Sequence, residues 1–419
     1  MNTTLRENID WVGYVDWTVR DFHGYKTDRG ATYNAYLIRD QKTALIDTVK
    51  APFADRLLQN VAELTDLTSV DYVICNHAEP DHAGGMARVM EALPNATLVC
   101  SKKCAAALGM HHDTSGWKTH LVATGDKLAL GQRALEFVET PMVHWPESMF
   151  TYVPEEKLLF SMDAFGQHYA SSQRFDDEVP LCTVMEEAKT YYANIIMPFA
   201  KLVAATLARA AELDIEMIAP SHGVVWRSHI AEIVEAYGNW AHCRPTPKVL
   251  VIYDTMWDST GEMARAIHEG ACMSGVAVEL VNIRTSTLTK IATDVLDAAC
   301  VAFGSSTLNQ GVLPMAGALL TYLKGLKPVN KTALAFGSYG WSKGGAETVD
   351  EGMKAMKWEV LREPIRAQYR PTTAVLDECR TAGRLLAEKA KEVACDREVG
   401  ERLCGDSQSI PSSCERLRK

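Results

Sequence analysis

The sequence contains no C-x-x-C pair, no long apolar run and no excess of positive charge. Its 11 cysteines are scattered singly along 419 residues, and an odd number of thiols fits a reducing cytoplasm better than a disulfide framework. No segment approaches the roughly 20 apolar residues that a membrane helix requires. The formal net charge of −10 argues against nucleic acid or an anionic membrane as the main partner. The first residues also lack an apolar signal segment, so we expect a cytoplasmic protein.

The length predicts two or three domains, each able to bury its own core. The segment His-Cys-Arg-Pro-Thr-Pro at 242–247 contains two prolines and no apolar periodicity, which is typical of a domain boundary. We therefore predict a first domain over residues 1–245, a second over 248–392, and a polar C-terminal extension over 393–419. The thiols of the extension have spacings that fit no common metal site.

A loop that follows the apolar strand 71–75 carries four metal-capable side chains in the pattern H-x-E-x-D-H, namely His77, Glu79, Asp81 and His82. Alternate residues of an extended loop point the same way, so His77 and Glu79 can reach one metal ion. Asp81 and His82 point apart and can reach a second ion beside the first. Four such groups in one loop would be costly to bury without a cation.

Later residues repeat the design of a ligand placed at a turn after a strand. They are His144, Asp163 and His222, and each follows a short apolar segment. Two imidazoles and two carboxylates are too few for a closed site with two metal ions. We therefore expect these three residues to complete it.

The second half begins with the strand 248–253, followed by a polar loop and a helix from Gly261. Backbone N–H groups and the hydroxyls of Thr255, Ser259 and Thr260 form an anion site at the N-terminus of this helix. The loop matches neither G-x-x-x-x-G-K-[ST] nor G-x-G-x-x-G, which argues against a nucleoside triphosphate and an ordinary dinucleotide.

Two further loops, 304–311 and 337–345, follow predicted strands in the same half. In a doubly wound sheet, such loops meet at the carboxyl ends of the strands, where ligands bind. The alternation of strands and helices from 248 to 392 predicts five strands in this sheet.

The first metal loop followed by such a half resembles the flavodiiron proteins, also called A-type flavoproteins, over roughly residues 5–390. The resemblance implies an α/β chain with an N-terminal αββα metallo-β-lactamase-like sandwich and a C-terminal doubly wound flavodoxin-like parallel sheet. Hydrolases of the first fold carry a histidine where Glu79 stands here. A hard anionic oxygen in place of an imidazole moves the preference from zinc toward iron or manganese.

The resemblance implies FMN and two non-haem iron ions with a bridging oxygen species as cofactors. It assigns His77, Glu79 and His144 to one iron, Asp81, His82 and His222 to the other, and Asp163 to both. It also implies that the FMN phosphate lies in the first, hydroxyl-rich loop. The residues expected to bind FMN are Thr255, Met256, Trp257, Asp258, Ser259, Thr260, Ser305, Ser306, Thr307, Leu308, Asn309, Gln310, Gly311, Ser338, Tyr339, Gly340, Trp341 and Ser342.

Several side chains keep two interpretations. Tyr339 and Trp341 either stack on the flavin or only pack in their loop. Lys343 stands where the family pattern leads us to expect glycine, and it either favours the anionic reduced flavin or faces solvent. His23 and Tyr192 resemble residues that line the family's substrate pocket, with ordinary packing as the alternative. His168 either orients a ligand or is an ordinary loop histidine.

By resemblance, the chain is an oxidoreductase that takes O2 to water with four electrons and four protons. Alternatively or in addition, it takes two NO to N2O and water with two electrons and two protons. Because no C-x-x-C pair is present, no rubredoxin module is fused, and the expected electron donor is a separate rubredoxin or a reduced deazaflavin cofactor. The family arranges FMN and iron head to tail, so we expect a homodimer or a dimer of dimers. The sequence does not distinguish O2 from NO.

Two other functions remain open. The first is a zinc-dependent hydrolase of the metallo-β-lactamase fold with a regulatory flavodoxin module, in which metal-activated water is the nucleophile. Glu79 in place of histidine argues against it. The second is an electron carrier without catalysis, and the complete ligand set argues against that.

Overall fold

The computed structural model describes residues 2–273 and 275–405, with side chains as far as residue 393. The chain forms two compact units. The first contains the described residues up to Tyr191 together with Lys201–Gly238, and the second contains Tyr192–Ala200 and the described residues from Asn239 onward. The first unit ends close to the predicted boundary, whereas the membership of Tyr192–Ala200 in the second unit was not anticipated. The domain ranges themselves stay a prediction.

The first unit is built on two sheets. The strands of one sheet, in spatial order, are Thr3–Arg6, Ile9–Trp11, Tyr36–Ile38, Thr43–Ile46, Val70–Cys75, Thr97–Ser101 and Thr119–Val122. The strands of the other are Lys127–Ala129, Ala134–Glu139, Met149–Val153, Leu158–Met162 and Met217–Pro220. Short pairs join Tyr14–Asp16 to Ala31–Tyr33 and Asp21–Phe22 to Tyr25–Lys26.

Side chains alternate between the two faces of each central strand. One row therefore lies between the sheets, and the other lies under helices. Ile74 packs with Phe137 and Phe160 of the second sheet. Its neighbours Val73 and Cys75 belong to a separate core that includes residues of the helices, because successive side chains of a strand point to opposite faces. The α-helices of this part of the chain are Ala54–Ala62, Pro80–Ala83, Met86–Ala92, Lys102–His111, Leu181–Tyr191, Ala200–Ala210 and Ile230–Ala241.

The second unit is a parallel sheet whose strand order is that of a flavodoxin, which confirms the predicted fold class. In spatial order its strands are Ala277–Asn282, Thr246–Asp254, Ala298–Ser305, Thr332–Tyr339 and Glu359–Val360, and Ile365–Gln368 also pairs with Thr332–Tyr339. The helices are Ser259–Ala271, Leu288–Asp297, Pro314–Leu326, Gly345–Ala355 and Thr373–Gly405. Met263 and Ile267 of one helix and Leu386 of another share a core with Val249 and Val251.

The structure corrects three details of the expected elements. The fifth strand is split into Glu359–Val360 and Ile365–Gln368, which pair with successive parts of one neighbour. Residues 33–38 have the pattern expected of a single strand, but the strand is interrupted at Asn34 and Ala35. The last helix continues to Gly405, so the segment predicted as a polar extension over 393–419 begins as helix, and residues 406–419 of that prediction lie outside the described residues.

Leu181–Ala210 meets a length and hydropathy test for a membrane span, with a mean hydropathy of 1.2 over 18 residues. Buried core helices pass the same test, and 44% of that window is buried here. The stretch is also interrupted by the π-helix Tyr192–Ile196 and the 3-10 helix Met197–Phe199. It is therefore weak evidence for a membrane.

Candidate metal centre and flavin site

The structure brings all seven predicted metal ligands together in two neighbouring groups. One group is His77, Glu79, His144 and Asp163, and the other is Asp81, His82 and His222. Within each group the ligand atoms lie within 4.8 Å of one another. Their side chains are buried, except that His144 keeps 13% of its side chain exposed. The predicted strand ends deliver the ligands to one place because their loops leave the two sheets at a common edge.

Asp163 lies between the two groups. Its Oδ2 is 3.1 Å from Nε2 of His144 and 3.4 Å from Nε2 of His77. Its Oδ1 is 3.0 Å from Nε2 of His82 and 3.5 Å from Nε2 of His222. One carboxylate oxygen therefore faces each group, which is the arrangement of a carboxylate that bridges two cations.

The spacing of the remaining donors fits metal ions. Nε2 of His144 lies 3.1 Å from Oε2 of Glu79, and Nε2 of His222 lies 3.1 Å from Oδ2 of Asp81. Two donors at about 2.1 Å from one ion, at a right angle, are about 3 Å apart. Among the described residues, the buried atoms Oδ1 of Asp81, Nε2 of His82 and both carboxylate oxygens of Asp163 make no hydrogen bond. Such atoms require another partner, which two bound cations would supply.

The electrostatics keep the carboxylates ionised. Burial raises the pKa of Glu79, but hydrogen bonds with His144 and His77 outweigh burial and hold that pKa far below its ordinary range. Burial acts the same way on Asp163, but the charge of His82 and the close approach of His144 bring its pKa well below the ordinary value. Metal ligands must be deprotonated, so this part of the donor set is already in the required state.

Partners outside the ligand set orient two histidines. Nδ1 of His77 lies 2.8 Å from Oε1 of Glu147, which also accepts the backbone N–H of Ala78 at 3.2 Å. Nδ1 of His222 lies 2.6 Å from the carbonyl oxygen of Thr32. A carbonyl or carboxylate acceptor fixes the proton on Nδ1 and leaves Nε2 to face the metal.

The first metal loop is anchored at its start. The backbone N–H and the side-chain amide of Asn76 donate to Asp47 at 2.7 and 2.8 Å. The hydroxyl of Thr151 donates to Oδ1 of Asn76 at 2.7 Å. The backbone N–H of Thr48 donates to the carbonyl oxygen of His82 at 3.1 Å. These bonds hold the ligand backbone in place before any metal arrives.

Three residues close to the ligands in the sequence have a strained backbone. Met142, Met162 and Phe165 adopt left-handed φ values of 64°, 53° and 66°, which cost side chains other than glycine about 1 kcal/mol or more. The N–H of Phe165 donates to the hydroxyl of Tyr237 at 2.7 Å, and its carbonyl accepts the indole N–H of Trp226 at 2.9 Å. Strained backbone that surrounding hydrogen bonds hold in place is typical of functional sites.

His23 stands at the mouth of the site. It lies at the turn of the hairpin Asp21–Lys26, with Nε2 3.2 Å from Oε1 of Glu79 and 63% of its side chain exposed. The hairpin also brings the rings of Phe22 and Tyr25 to 5.0 and 5.7 Å from His168. His23 therefore contacts a candidate ligand, and its predicted place in a substrate pocket stays a prediction.

Tyr191, the residue before Tyr192, lies beside the candidate ligands, and the role of Tyr192 stays a prediction. The ring of Tyr191 lies 4.8 Å from that of His168 and 5.8 Å from that of His222. Tyr192 packs 5.2 Å from Trp240 in the second unit. The helix ends at Tyr191 and a π-turn follows, so adjacent tyrosines diverge. The ring of His168 also lies 5.2 Å from that of His222. This closeness is required if His168 orients a ligand.

The predicted flavin loops meet at one edge of the second sheet. Asp254 and Ser305 are partners at the ends of adjacent strands. The hydroxyl of Thr260 lies 3.0 Å from that of Ser306 and 2.8 Å from that of Ser338, so one residue from each loop shares a buried cluster. The buried hydroxyl of Thr255 has no partner among the described residues. This unpaired donor at a helix N-terminus fits the phosphate of FMN.

The aromatic residues of these loops are open to a ligand. Trp257 and Trp341 are 88% and 91% exposed, which is unusual for a tryptophan without a partner. Nζ of Lys343 lies 5.6 Å from the centre of the Tyr339 ring, a cation–π contact within the loop. The carboxylate of Asp258 is paired with Arg265 at 2.6 Å, so its charge is not free to oppose a phosphate.

The remaining predicted flavin residues shape the loops. Leu308 and Gly311 exchange backbone hydrogen bonds of 3.0 and 2.9 Å around Asn309 and Gln310, whose φ values are positive. The hydroxyl of Thr307 accepts the N–H of Gly345 at 3.0 Å and joins two loops. The other predicted residues, Met256, Ser259, Gly340 and Ser342, lie in the same segments. The assignment of individual residues to FMN stays a prediction.

Comparison with known families divides the chain at the same place. Residues 31–223 match the family described as ODP family beta lactamase, and residues 251–383 match the family described as Flavodoxin. All seven candidate ligands fall in the first match, and all the candidate flavin loops fall in the second.

Relatives cover nearly the whole chain. A nitric oxide reductase of Moorella thermoacetica is 44% identical over 92% of this chain and 98% of its own length. The crystal structure of a flavodiiron protein from Giardia intestinalis superposes with a TM-score of 0.92, at 37% identity, covering 95% of this chain and 98% of that one. The rubredoxin:oxygen oxidoreductase of Desulfovibrio gigas gives a TM-score of 0.91 at 36% identity, covering 94% and 100%.

Proposed function

Because the chain belongs to the flavodiiron proteins, we propose that it is an oxidoreductase that passes electrons through FMN to a non-haem diiron site and there reduces O2 to water, NO to N2O, or both. The relatives support this, since one is named a nitric oxide reductase and another a rubredoxin:oxygen oxidoreductase. The observation in the structure that carries the proposal is Asp163, whose two oxygens face two ligand groups.

The donor set favours iron over zinc. The two groups together offer four imidazoles and three carboxylates. A tetrahedral zinc site prefers nitrogen and sulfur donors, whereas carboxylate oxygens with imidazoles suit non-haem iron. When bound, the ferrous ions supply two electrons and open positions for the gas, and reduced FMN supplies two further electrons. Glu79 adds a negative charge that offsets buried cationic charge.

The protein's own residues orient the ligands and limit the access of water to the site. Glu147 and the Thr32 carbonyl hold Nε2 of His77 and His222 toward the centre. The rings of Phe22 and Tyr191 pack against His168 and border the histidine ligands. His23, mostly exposed to solvent and in contact with Glu79, is placed to bring a proton from water to the mouth of the site.

In the second unit, the loop hydroxyls and backbone amides would hold the FMN phosphate. The hydroxyl of Thr255 would donate to a phosphate oxygen, since it has no partner among the described residues. The shared cluster around Thr260 fixes the separation of the loops. Trp257 and Trp341 would cover the ring system, because stacking on an indole buries its apolar faces.

The proposal also covers the electron donor, the oligomeric form and the cellular location. The electron donor is a rubredoxin-type protein or a reduced deazaflavin cofactor, and the first is favoured by the name of the Desulfovibrio gigas relative. The active form is a head-to-tail homodimer or a dimer of dimers in which one subunit's flavin unit serves its partner's metal unit. The location is cytoplasmic, in keeping with 11 cysteines scattered singly along the sequence.

A single-turnover experiment tests the proposed reaction. Anaerobically purified protein is fully reduced with dithionite, freed of the reductant and mixed with NO or with O2. We expect N2O from NO or consumption of O2 without accumulation of peroxide, together with reoxidation of the flavin absorbance. Failure with both gases in protein that contains iron and FMN would contradict the proposal.

A further inference from the structure

A cavity of about 290 Å³ lies in the first unit, and none of the residues that line it is a metal ligand. The side chains that matter for its chemistry are Trp11, Tyr14, Trp17, Arg56, Asn60 and Arg174. Its volume is at the lower end of small-molecule pockets. It suits a ligand with one ring and excludes a nucleotide.

Arg174 is the unusual residue of this cavity. It is only 4% exposed, and its Nη1 has no hydrogen-bond partner among the described residues. Its Nη2 donates to the carbonyl oxygen of Ser171, and the guanidinium lies 4.7 Å from the centre of the Trp11 ring. A buried guanidinium with a free donor is costly unless an anion pairs with it.

The charged side chains around the cavity leave the place of an anion beside Arg174 unfilled. No acidic side chain lines it, while Arg56 adds a second, exposed cation. The nearby Glu178 is engaged, since its Oε2 accepts the backbone N–H groups of Arg174 and Phe175 at 3.1 and 3.2 Å. Burial lowers the pKa of Arg174 to about 10, so it still carries its charge at neutral pH.

The rest of the lining is aromatic and includes a second unpaired polar atom. Trp17 leaves 55% of its surface exposed, and Tyr14 is half-buried beside it. Oδ1 of the buried Asn60 has no partner among the described residues, whereas its amide nitrogen donates to the carbonyls of Val12 and Gly13. Rings beside a cation suit a flat ligand that carries an anionic group.

We propose that this cavity binds a small aromatic carboxylate, with the carboxylate on the guanidinium of Arg174 and the ring against the indoles. The site is separate from the metal centre and does not depend on the proposed reductase activity. One wall leads to a metal ligand: the indole N–H of Trp11 donates to Asn34 at 2.8 Å, and the amide of Asn34 donates to the carbonyls of Pro220 and Gly223, on either side of His222.

Calorimetry with benzoate and benzamide on the full-length protein tests the proposal. The two molecules have the same shape and differ in charge. We expect benzoate to bind at least about tenfold more tightly, the effect of one charge-assisted hydrogen bond. Equal binding of the two, or no binding of benzoate at millimolar concentration, would overturn the proposal.

Variants separate the cavity from adventitious binding. Arg174→Gln should reduce benzoate affinity at least about tenfold. Arg174 is buried, so the test also uses variants of two exposed residues, Arg56→Gln and Trp17→Ala. These variants decide the outcome if Arg174→Gln does not fold. Each should weaken benzoate binding about threefold or more, and Lys118→Gln, on an exposed residue outside the cavity, should not. Unchanged affinity in both Arg56→Gln and Trp17→Ala would show an adventitious additive only.

Discussion

Oε1 of Glu147 lies 2.8 Å from Nδ1 of His77, and both side chains are buried. The pair is separated by 70 positions in the chain, and Glu147 also accepts the N–H of Ala78. Because the carboxylate takes both donors, the ring of His77 has one orientation and one tautomer. The metal loop therefore depends on a residue that is not a ligand.

Glu147→Ala should lower the affinity for ferrous iron about 10- to 100-fold, the usual effect of removing a group that orients a metal ligand. Glu147→Gln, whose amide oxygen can still accept from His77, should lose less. Anaerobic titration of metal-free protein measures this. The exposed Glu235 lies on a surface helix, and Glu235→Ala should leave the affinity unchanged. Wild-type affinity in Glu147→Ala would contradict the orienting role.

Glu79→His should shift the metal content from iron toward zinc, because it replaces a hard anionic oxygen with a borderline nitrogen. Elemental analysis of protein expressed in medium with equal iron and zinc gives the ratio. Glu79→Asp, which retains the oxygen donor, serves as the control and should keep iron in excess. An unchanged ratio in Glu79→His would mean that other features select the metal.

Thr255→Val and Thr260→Val should separate flavin binding from loop structure. The hydroxyl of Thr255 has no protein partner among the described residues, so its loss should weaken FMN binding about tenfold with little change in the stability of the FMN-free protein. The hydroxyl of Thr260 contacts Ser306 and Ser338, so its loss should also cost about 1–3 kcal/mol of stability. Fluorescence titration with FMN and urea unfolding report the two quantities.

Glu187→Gln should stabilise the protein at alkaline pH. Burial raises the pKa of Glu187 to about 7 from 4.5, although Arg29 lies 2.9 Å away. A raised carboxyl pKa favours folding below pH 4.5, and that contribution is lost as the pH rises to about 7. The variant should therefore gain up to about 3 kcal/mol at pH 8 relative to wild type, and the two should converge below pH 4.5. Urea unfolding across pH 4–8 measures the difference.

The exposed Glu235 provides the control for this experiment, since Glu235→Gln should change stability by less than about 0.5 kcal/mol at any pH. A Glu187→Gln protein that is less stable than wild type at pH 8 would show instead that the ion pair with Arg29 outweighs burial.

His23→Gln should slow gas reduction while leaving the metal content unchanged. His23 contacts Glu79 but is mostly exposed, so it is not needed to hold an ion. Loss of a positioned proton donor typically costs about 10²-fold or more in rate. Stopped-flow mixing of reduced protein with NO or O2 gives the rate. Exposed His120 lies outside the site, and His120→Gln should have no effect. A wild-type rate in His23→Gln would remove the proposed role.

The grouping of the seven candidate ligands could be predicted from sequence because they lie in turns and loops that follow short apolar strands. His77, Asp163 and His222 all leave strand ends, and strand ends in packed sheets converge on one edge. The flavin loops followed for the same reason from the parallel order of their strands. The fold class and the family were confirmed by the sheets and the relatives.

Other features depend on contacts between distant residues. Glu147 and Thr32 act on His77 and His222 across 70 and 190 positions, and no local pattern marks them. Two adjacent tyrosines cannot be distinguished before the end of their helix is known, so the contacts of Tyr191 with His168 and His222 are found only in the structure, and the role of Tyr192 stays a prediction. Sequence also gave no sign that Tyr192–Ala200 would join the second unit.

The metal and flavin content of protein purified without oxygen tests the central claim most directly. Two ligand groups and one set of flavin loops predict two iron ions and one FMN per chain. Elemental analysis and flavin absorbance after acid release give both numbers from one preparation. Zinc in place of iron in protein grown with excess iron, or the absence of FMN, would contradict the account of a flavin-fed diiron reductase.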